Sequence, residues 1–249
     1  MMRFLRYSVR VKRAAMIKVD MHMHTGEDPS DGLRYPATTL LEKAAALGFG
    51  AVAITLHRKV LEDERLEAFA RERGFLLIRG VEWKIKKCDV LLYNVRQREV
   101  DQLLTFDDLR AFKRDRGDDL LVVAPHPHYP VHQSLGRKLE EHIDLFDAVE
   151  HSSVHLGYLN FNKSALRLAR QYGKPVVANS DAHNLWMFGR HYTLVDAEPT
   201  IPSIFAAIRE GRLQWHSPPM SVWDCLRLFV FDPVHRQPGR IVKSFEQPA

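Results

Sequence analysis

Buried strand-like runs that alternate with amphipathic helical runs predict an α/β barrel for this chain of 249 residues. Three observations carry that reading. The apolar runs AVAIT, FLLIRGV, LLVVAP and PVVANS read as strands buried on both faces, which implies a mainly parallel sheet. Helical runs with cap signals lie between them. The number of repeats favours a closed or nearly closed barrel over a three-layer sandwich.

The elements follow in order. Ile17 to Met21 reads as the first strand, and the polar loop TGEDPSDGLRYP follows it. Thr39 and Glu42 are spaced as a capping box for the helix LLEKAAAL, which Gly48 stops. AVAIT is the second strand and LEDERLEAFARERG the second helix. FLLIRGVEW and DVLLYNV are strand-like and close together. Thr105 and Asp108 can cap a helix that runs to Gly117. DLLVVAPH is a buried strand, and SLGRKLEEHI and LFDAVEH give a further helix and strand. SALRLARQYG precedes the strand PVVANSD, and TIPSIFAAIREG is the last clear helix. In the tail after Pro218, WDCLRLFVF is expected to pack on the barrel and FDPVHRQPGR to form a loop. No linker, repeat or low-complexity segment interrupts the pattern. The expected organisation is a basic arm over residues 1–15 and a single barrel domain over residues 16–249.

Composition bounds the function. Hydrophobic residues make up 45% and charged residues 27%, enough for a core without disulfide or metal staples. Cys88 and Cys225 stand far apart, so no disulfide framework is implied and a reducing, cytoplasmic location is expected. The net charge of +5 suits a phosphate-bearing substrate or nucleic acid but is too small to choose between them. Part of it lies in the arm, at Arg3, Arg6, Arg10, Lys12 and Arg13. The arm mixes basic and apolar residues, unlike a secretory signal, and is expected to be either a disordered arm or the product of a start codon placed too early, with Met16 as the natural beginning. No run approaches the ~20 apolar residues of a membrane span, which excludes a membrane partner of that kind.

Potential ligands collect where the strands are expected to end. The first strand ends in Asp20-Met21-His22-Met23-His24, AVAIT in Thr55-Leu56-His57, and FLLIRGV at Glu82. LLVVAP ends at His126-Pro127-His128 and PVVANS at Asp181-Ala182-His183. In barrels of this type the strand C-termini form the site. Residues two apart on a strand share a face, so His22 and His24 can reach one pocket, as can Asp181 and His183. Imidazole with carboxylate suits zinc, manganese or iron, and Glu82 can bridge two cations. Taken singly, each of these residues has an ordinary reading: a surface histidine pair, a hydrogen-bonded His57, a solvated Glu82, a helix-capping Asp181. Their joint placement in phase argues for a metal site.

Taken in order, DMHMHT, SDG (Ser30, Asp31, Gly32), AITLH, GVE, APHP and NSDAH resemble the polymerase and histidinol phosphatase (PHP) superfamily, from Ile17 to Val195. The resemblance implies a distorted (β/α)7 barrel of the PHP type with two or three divalent ions (zinc, manganese or iron). By the same resemblance, His22, His24, Glu82 and Asp181 hold one ion, and Glu82 bridges to a second that His126 also holds. Asp31, His57 and His183 hold a third. Asp28 competes with Asp31, because the loop before the SDG triplet is longer than is usual. Leu56 stands where the family has an aspartate, which implies weaker support for the ligands around it. Asp89 stands where the family often has a histidine ligand; the alternative is an Asp89 that faces solvent or starts its strand.

Other residues have two readings each. His151 and His155 either donate a proton or touch substrate, or are ordinary rim histidines. His128 shares a face with His126 only if Pro127 leaves the strand straight. Arg58 and Arg190 are candidates for phosphate binding, against ordinary surface arginines. His132, His142, His216 and His235 read as background. The expected activity is metal-dependent hydrolysis of a phosphate ester by an activated water, with a small phosphorylated metabolite or nucleotide as substrate. No Ser or Cys nucleophile motif and no P-loop is present. The rival readings are a nuclease or nucleotide phosphodiesterase on the same metals, and a non-catalytic binding scaffold. Outside the N-terminal arm, no concentrated basic and aromatic stretch supports the nuclease reading. The proton donor, the substrate and the oligomeric state are not legible.

Overall fold

The computed structural model describes residues 16–231. Nine strands form one sheet: β1 (Met16–Asp20), β2 (Ala51–Ile54), β3 (Leu76–Ile85), β4 (Cys88–Tyr93), β5 (Leu121–Ala124), β6 (Ala148–His151), β7 (Val176–Ala178), β8 (Tyr192–Asp196) and β9 (Leu213–His216). Their order is β7-β6-β5-β4-β3-β2-β1-β8-β9. Around them run α1 (Ala37–Ala46), α2 (Glu64–Glu72), α3 (Gln97–Val100), α4 (Phe106–Arg116), α5 (Lys138–Glu141), α6 (Asn162–Gln171), α7 (Ile201–Arg209) and α8 (Val222–Leu226).

The first seven strands close into a barrel beyond the ends of β1 and β7. Met23 and Ala182 form a parallel bridge there. The Asp181 N–H donates to the His22 carbonyl at 2.8 Å, and the His24 N–H donates to the Ala182 carbonyl at 3.0 Å. The closure thus joins two candidate ligand pairs directly. Thr193 of β8 braces the seam: its hydroxyl donates to the Ala178 carbonyl and accepts from the Ala178 N–H, both at 2.9 Å.

The expected α/β barrel is present, but the sheet is less parallel than expected. β1–β2, β2–β3, β5–β6 and β6–β7 are parallel. β4 runs antiparallel to both β3 and β5, and β8 and β9 add an antiparallel flap along β1. The β3–β4 hairpin turns through Lys86 and Lys87, both at positive φ (47° and 72°). That backbone normally selects Asn-Gly, so the two lysines gave no turn signal.

Three clusters make the core. Val19, Met21, Ala51, Ala53, Ile78, Leu91 and Tyr93 fill the barrel, and Ile204, Phe205 and Ile208 of α7 join the same cluster. Alanines at the narrow interior positions leave room for Tyr93, whose hydroxyl donates to the Met21 carbonyl at 2.8 Å. Gly80 serves the same ring, since a Cβ there would lie 3.1 Å from Tyr93 and 2.9 Å from Thr55. A second cluster packs α4, α5 and α6 outside β3 to β6, and a third packs α1 and α2 outside β1 and β2.

Several local expectations change. α1 begins at Ala37, so Thr39 lies inside the helix and caps nothing; Glu27 instead accepts from the Ala37 N–H with both oxygens at 3.0 and 3.1 Å. The Thr105–Asp108 capping box forms as expected. SLGRKLEEHI yields only the short α5 and a 3-10 turn at Ile143–Leu145. β3 runs past Glu82 to Ile85, and β8 and β9 have no counterpart in the expected element list. The segment WDCLRLFVF forms α8 and a π turn at Arg227–Phe231. The basic arm and most of the FDPVHRQPGR loop lie outside the described residues. Both cysteines are free, and no helix among the described residues is long and apolar enough to cross a membrane.

Candidate metal centre

The eight residues His22, His24, Asp31, His57, Glu82, His126, Asp181 and His183 converge at one end of the barrel. They fall into three overlapping groups: His24, Asp31, His57 and His183; His22, Glu82 and His126; and His22, His24 and Asp181. His22 and His24 come from the extension of β1, and Met23 between them points the other way into the core, as period-2 alternation requires. His57 follows β2 and bridges to Glu82 on β3. His126 follows β5, while Asp181 and His183 follow β7.

Backbone strain concentrates here. Among the non-glycine residues with positive φ are Asp181 (47°), His126 (27°) and Arg58 (56°), which adjoins His57. Such conformations cost about 1–3 kcal/mol each and persist where surrounding contacts enforce them. The contacts are visible. The His126 N–H donates to Glu150 at 2.9 Å. The Asp181 N–H is held by His22, and the Arg58 N–H donates to the Glu82 carbonyl at 2.9 Å.

The side chains present unpaired polar atoms to one another. His22 Nε2, His24 Nε2, Asp31 Oδ2 and Asp181 Oδ1 are buried without a hydrogen-bond partner. Buried polar groups are rarely left so unless something else satisfies them. His22 Nε2 lies 3.3 Å from Asp181 and 3.6 Å from Glu82; His24 Nε2 lies 3.5 Å and 3.4 Å from the same carboxylates. Asp31 Oδ2 lies 3.1 Å from His57 and 3.3 Å from His183. Ligands around a cation with bonds of roughly 2.1 Å stand ~3.0–3.4 Å apart, so these donors fit a divalent ion better than they fit one another.

The electrostatics point the same way. Burial disfavours charge on these rings, yet the carboxylates reverse the effect. His22 is held well above its ordinary value by Asp181, Glu150 and Glu82 against its burial. His126 is held at about 9 by Glu82, and His57 at about 11 by Asp28, Asp31 and Glu82, both against burial. Burial opposes charge on Glu82, Asp181 and Asp31 as well, and the surrounding imidazoles hold all three below the carboxylate range. The pocket therefore demands positive charge, which divalent cations can supply in place of protons.

Glu82 differs from the other candidates because its two oxygens face different groups. Oε1 lies 3.0 Å from His126. Oε2 lies 3.1 Å from His57, 3.4 Å from His24 and 3.6 Å from His22. Asp31, rather than Asp28, has the free oxygen. Asp28 Oδ2 is already occupied by the His57 N–H at 2.7 Å and His57 Nδ1 at 3.0 Å, while Oδ1 accepts from the Ser30 N–H at 2.8 Å. Asp28 thereby orients the His57 ring.

The sequence reading passed over Glu150. It is buried on β6 and accepts from His22 Nδ1 at 3.0 and 3.2 Å, from Asn179 Nδ2 at 2.8 Å and from the His126 N–H at 2.9 Å. It fixes His22 with Nε2 turned to the centre, the usual role of a carboxylate behind a ligating imidazole. The signal was available. Ala148 faces the barrel interior and Val149 the outer core, so period 2 turns Glu150 inward and His151 outward.

Other candidates stand elsewhere. His151 stacks on Trp215 at 4.8 Å and shares a 3.0 Å hydrogen bond with the Ser217 hydroxyl. That hydroxyl also pairs with His191 Nδ1 at 2.9 Å, and His155 Nε2 lies 3.3 Å from the Ser217 carbonyl. These rings pin the chain after β9 to the barrel. His128 is held by Ser164 and the Gly136 carbonyl. Arg190 is not free for phosphate: it pairs bidentately with Asp224 of α8 at 2.5 and 2.9 Å. Arg58 is exposed beside His57 and is in no ion pair among the described residues. Leu56 is buried in the apolar cluster that includes residues of α1 and α2. Asp89 stands outside all three groups: register pairs it with Lys84, whose ammonium lies 3.2 Å from its carboxylate. Burial and then Glu82 raise Asp89 to about 6.

Burial, with the neighbouring histidines adding, pushes His151 down to about 4 and His191 to about 3. The unfolded chain takes up these protons below the ordinary value of 6.5, and the folded chain resists them. Stability should therefore be fully present above pH 6.5 and decline as pH falls toward 3, with no further loss from these rings below that. Thermal melts at pH 7 and pH 5 should show a larger acid loss for the wild type than for His191→Gln. Parallel losses would remove the cluster from the account.

Residues 160–213 match the PHP_C family, described as PHP-associated; the match spans α6 to the start of β9 and includes Asp181 and His183. A comparison with curated proteins gives no match. Among solved structures, the chain is similar to a two-domain protein containing a predicted PHP-like metal-dependent phosphoesterase from Bacteroides vulgatus (20% identity, TM-score 0.64). The likeness covers 82% of this chain and 65% of that one, so the chain spans less than two thirds of that protein. PsfC from Pseudomonas syringae is similar over 89% of this chain and 98% of its own (18% identity, TM-score 0.64). The lesion-specific endonuclease PfuEndoQ from Pyrococcus furiosus is similar over 80% of this chain and 57% of its own (16% identity, TM-score 0.56). The chain thus has the barrel fold of these structures, and residues 160–213 match the PHP-associated family model.

Proposed function

We propose that the chain is a metal-dependent phosphoesterase that hydrolyses a phosphomonoester of a small metabolite or nucleotide. The observation that carries the reading is the set of buried, unpaired atoms His22 Nε2, His24 Nε2, Asp31 Oδ2 and Asp181 Oδ1, which lie 3.1–3.6 Å from one another or from Glu82, His57 and His183. In this reading His22, His24, Glu82 and Asp181 hold one ion, Glu82 and His126 a second, and Asp31, His57 and His183 a third. Divalent cations there supply Lewis-acid charge to phosphoryl oxygens and make water more acidic. The protein's own share is position. Glu150 turns His22 and the His126 backbone, Asp28 turns His57, and the ring closure holds Asp181 against His22. The phosphoesterase and endonuclease among the similar folds support the reaction class.

The test is a panel run with Mn²⁺, Zn²⁺ and Fe²⁺ on para-nitrophenyl phosphate, bis-para-nitrophenyl phosphate and a single-stranded oligonucleotide. Monoester turnover is expected to be strongest and to be lost in chelator. Turnover of the oligonucleotide alone would support the nuclease reading instead. No turnover by a fully metal-loaded protein would favour the binding scaffold.

A further inference from the structure

On the outer side of the barrel a cleft of about 380 Å³ opens between α2 and α3. That volume suits a small molecule. A tight hairpin joins β3 to β4 without a crossover helix, so the start of β3 is left partly bare. Leu76 and Leu77 of β3 and Val95 after β4 give the cleft an apolar lining. Arg79 lies on the outward face of β3: its neighbour Ile78 packs into the barrel, and Val81 and Trp83 pack into the outer core. Glu82 points the opposite way. Leu76 precedes Glu82 by 6 residues, which is on the order of 20 Å of strand. The cleft is therefore separate from the metal centre.

Four guanidiniums converge on it: Arg71 from α2, Arg79 from β3, Arg96 just before α3 and Arg116 from the end of α4. Glu67 and Glu99 are the carboxylates of the lining, and both are committed to the half-buried arginines. Glu67 accepts from Arg79 Nε at 2.6 Å. Glu99 accepts from Arg116 with one oxygen and from the Arg96 N–H, at 2.7 Å, with the other. The Asn94 carbonyl fixes Arg116 further, at 2.8 Å. Arg71 and Arg96 are exposed and are in no ion pair among the described residues. Four cations against two carboxylates leave the cleft with a surplus of positive charge, which favours an anion. A guanidinium grips an oxyanion with two parallel N–H donors.

We propose that this cleft is a binding site for a small, doubly charged oxyanion, gripped by Arg71 and Arg96 and held between α2 and α3. Phosphoryl groups and dicarboxylates share that chemistry. Glu67 and Glu99 lock Arg79 and Arg116 in place, so the anion meets two fixed cations and two free ones. The site stands whether or not the chain is a phosphoesterase, because none of its residues belongs to the ligand groups of the metal centre. A bound anion ties α2 to α3 across β3 and should raise the melting temperature.

The experiment titrates inorganic phosphate, sulfate, succinate and nitrate into the full chain by calorimetry. At least one of the three dianions should bind with a Kd of about 1 mM or lower, as two charge-assisted grips provide. Nitrate, with one charge, should bind at least ~10-fold more weakly. Arg71→Ala/Arg96→Ala should weaken the dianion by ~10-fold or more. Both side chains are exposed, and an unchanged melting temperature without ligand would show the fold intact. The same binding should persist in Asp181→Ala and in protein stripped of metal, which separates it from an anion on the metal centre. A preference for phosphate and sulfate would identify a phosphoryl ligand, and a preference for succinate a dicarboxylate; either upholds the site. Binding that survives the arginine double variant but is lost in Asp181→Ala would overturn the proposal. Equal binding of nitrate, or no dianion bound below ~10 mM, would show an adventitious ion only and would overturn it too.

Discussion

Glu82→Gln is expected to reduce phosphoesterase turnover by about a thousandfold or more while leaving a folded protein. The side chain is buried at the meeting point of the ligand groups, with Oε1 on His126 and Oε2 on His57, His24 and His22. An amide keeps the shape but loses the charge, and its NH₂ has no lone pair to offer a cation. One of the two directions must therefore lose its donor. The fold should survive, because β3 is held by its pairing with β2 and β4 rather than by this side chain. Turnover and metal content measured together decide the point. Wild-type turnover at matched metal content would show that Glu82 does not join the two groups.

Glu150→Gln should weaken metal binding by roughly 10- to 100-fold, the usual cost of losing the carboxylate behind a ligating imidazole. The mechanism differs from that of Glu82. Glu150 faces the back of His22, and its second role is to hold the His126 N–H, which fixes a strained backbone. Gln keeps one acceptor and loses the charge that favours a proton on His22 Nδ1. The Nε2 atom is then less firmly aimed at the centre. Activity should recover partly at high metal concentration, which a loss of chemistry alone would not do. A metal titration midpoint that matches the wild type would remove Glu150 from the centre.

The ligands were legible because strand periodicity is local. His22 and His24, two apart, reach one pocket whatever the rest of the chain does. Glu82 lies mid-strand on β3 rather than at the strand end where the sequence places it; the neighbouring β2 stops earlier, and His57 bridges to Glu82 there. Glu150 was overlooked because its role depends on three partners distant in sequence: His22, His126 and Asn179. The Lys84–Asp89 pair was hidden by the hairpin, whose Lys86-Lys87 turn gives no sequence signal for its backbone. Arg190 stood open between a phosphate ligand and a surface arginine for a similar reason. Its carboxylate partner, Asp224, lies on a helix in the irregular tail. Long-range charge pairs leave no periodic trace, so the cluster of candidate ligands was more legible than the residues that hold it in place.

The central claim is that these buried donors exist to hold cations. Elemental analysis of the purified full chain, before and after reconstitution with zinc, manganese or iron, tests it most directly. The account predicts two or three equivalents per chain, since the ligands are too many for one tetrahedral ion. It also predicts a lower content in Asp181→Ala, which removes one of the unpaired buried oxygens. Less than one equivalent after reconstitution, in a protein that is otherwise folded, would contradict it.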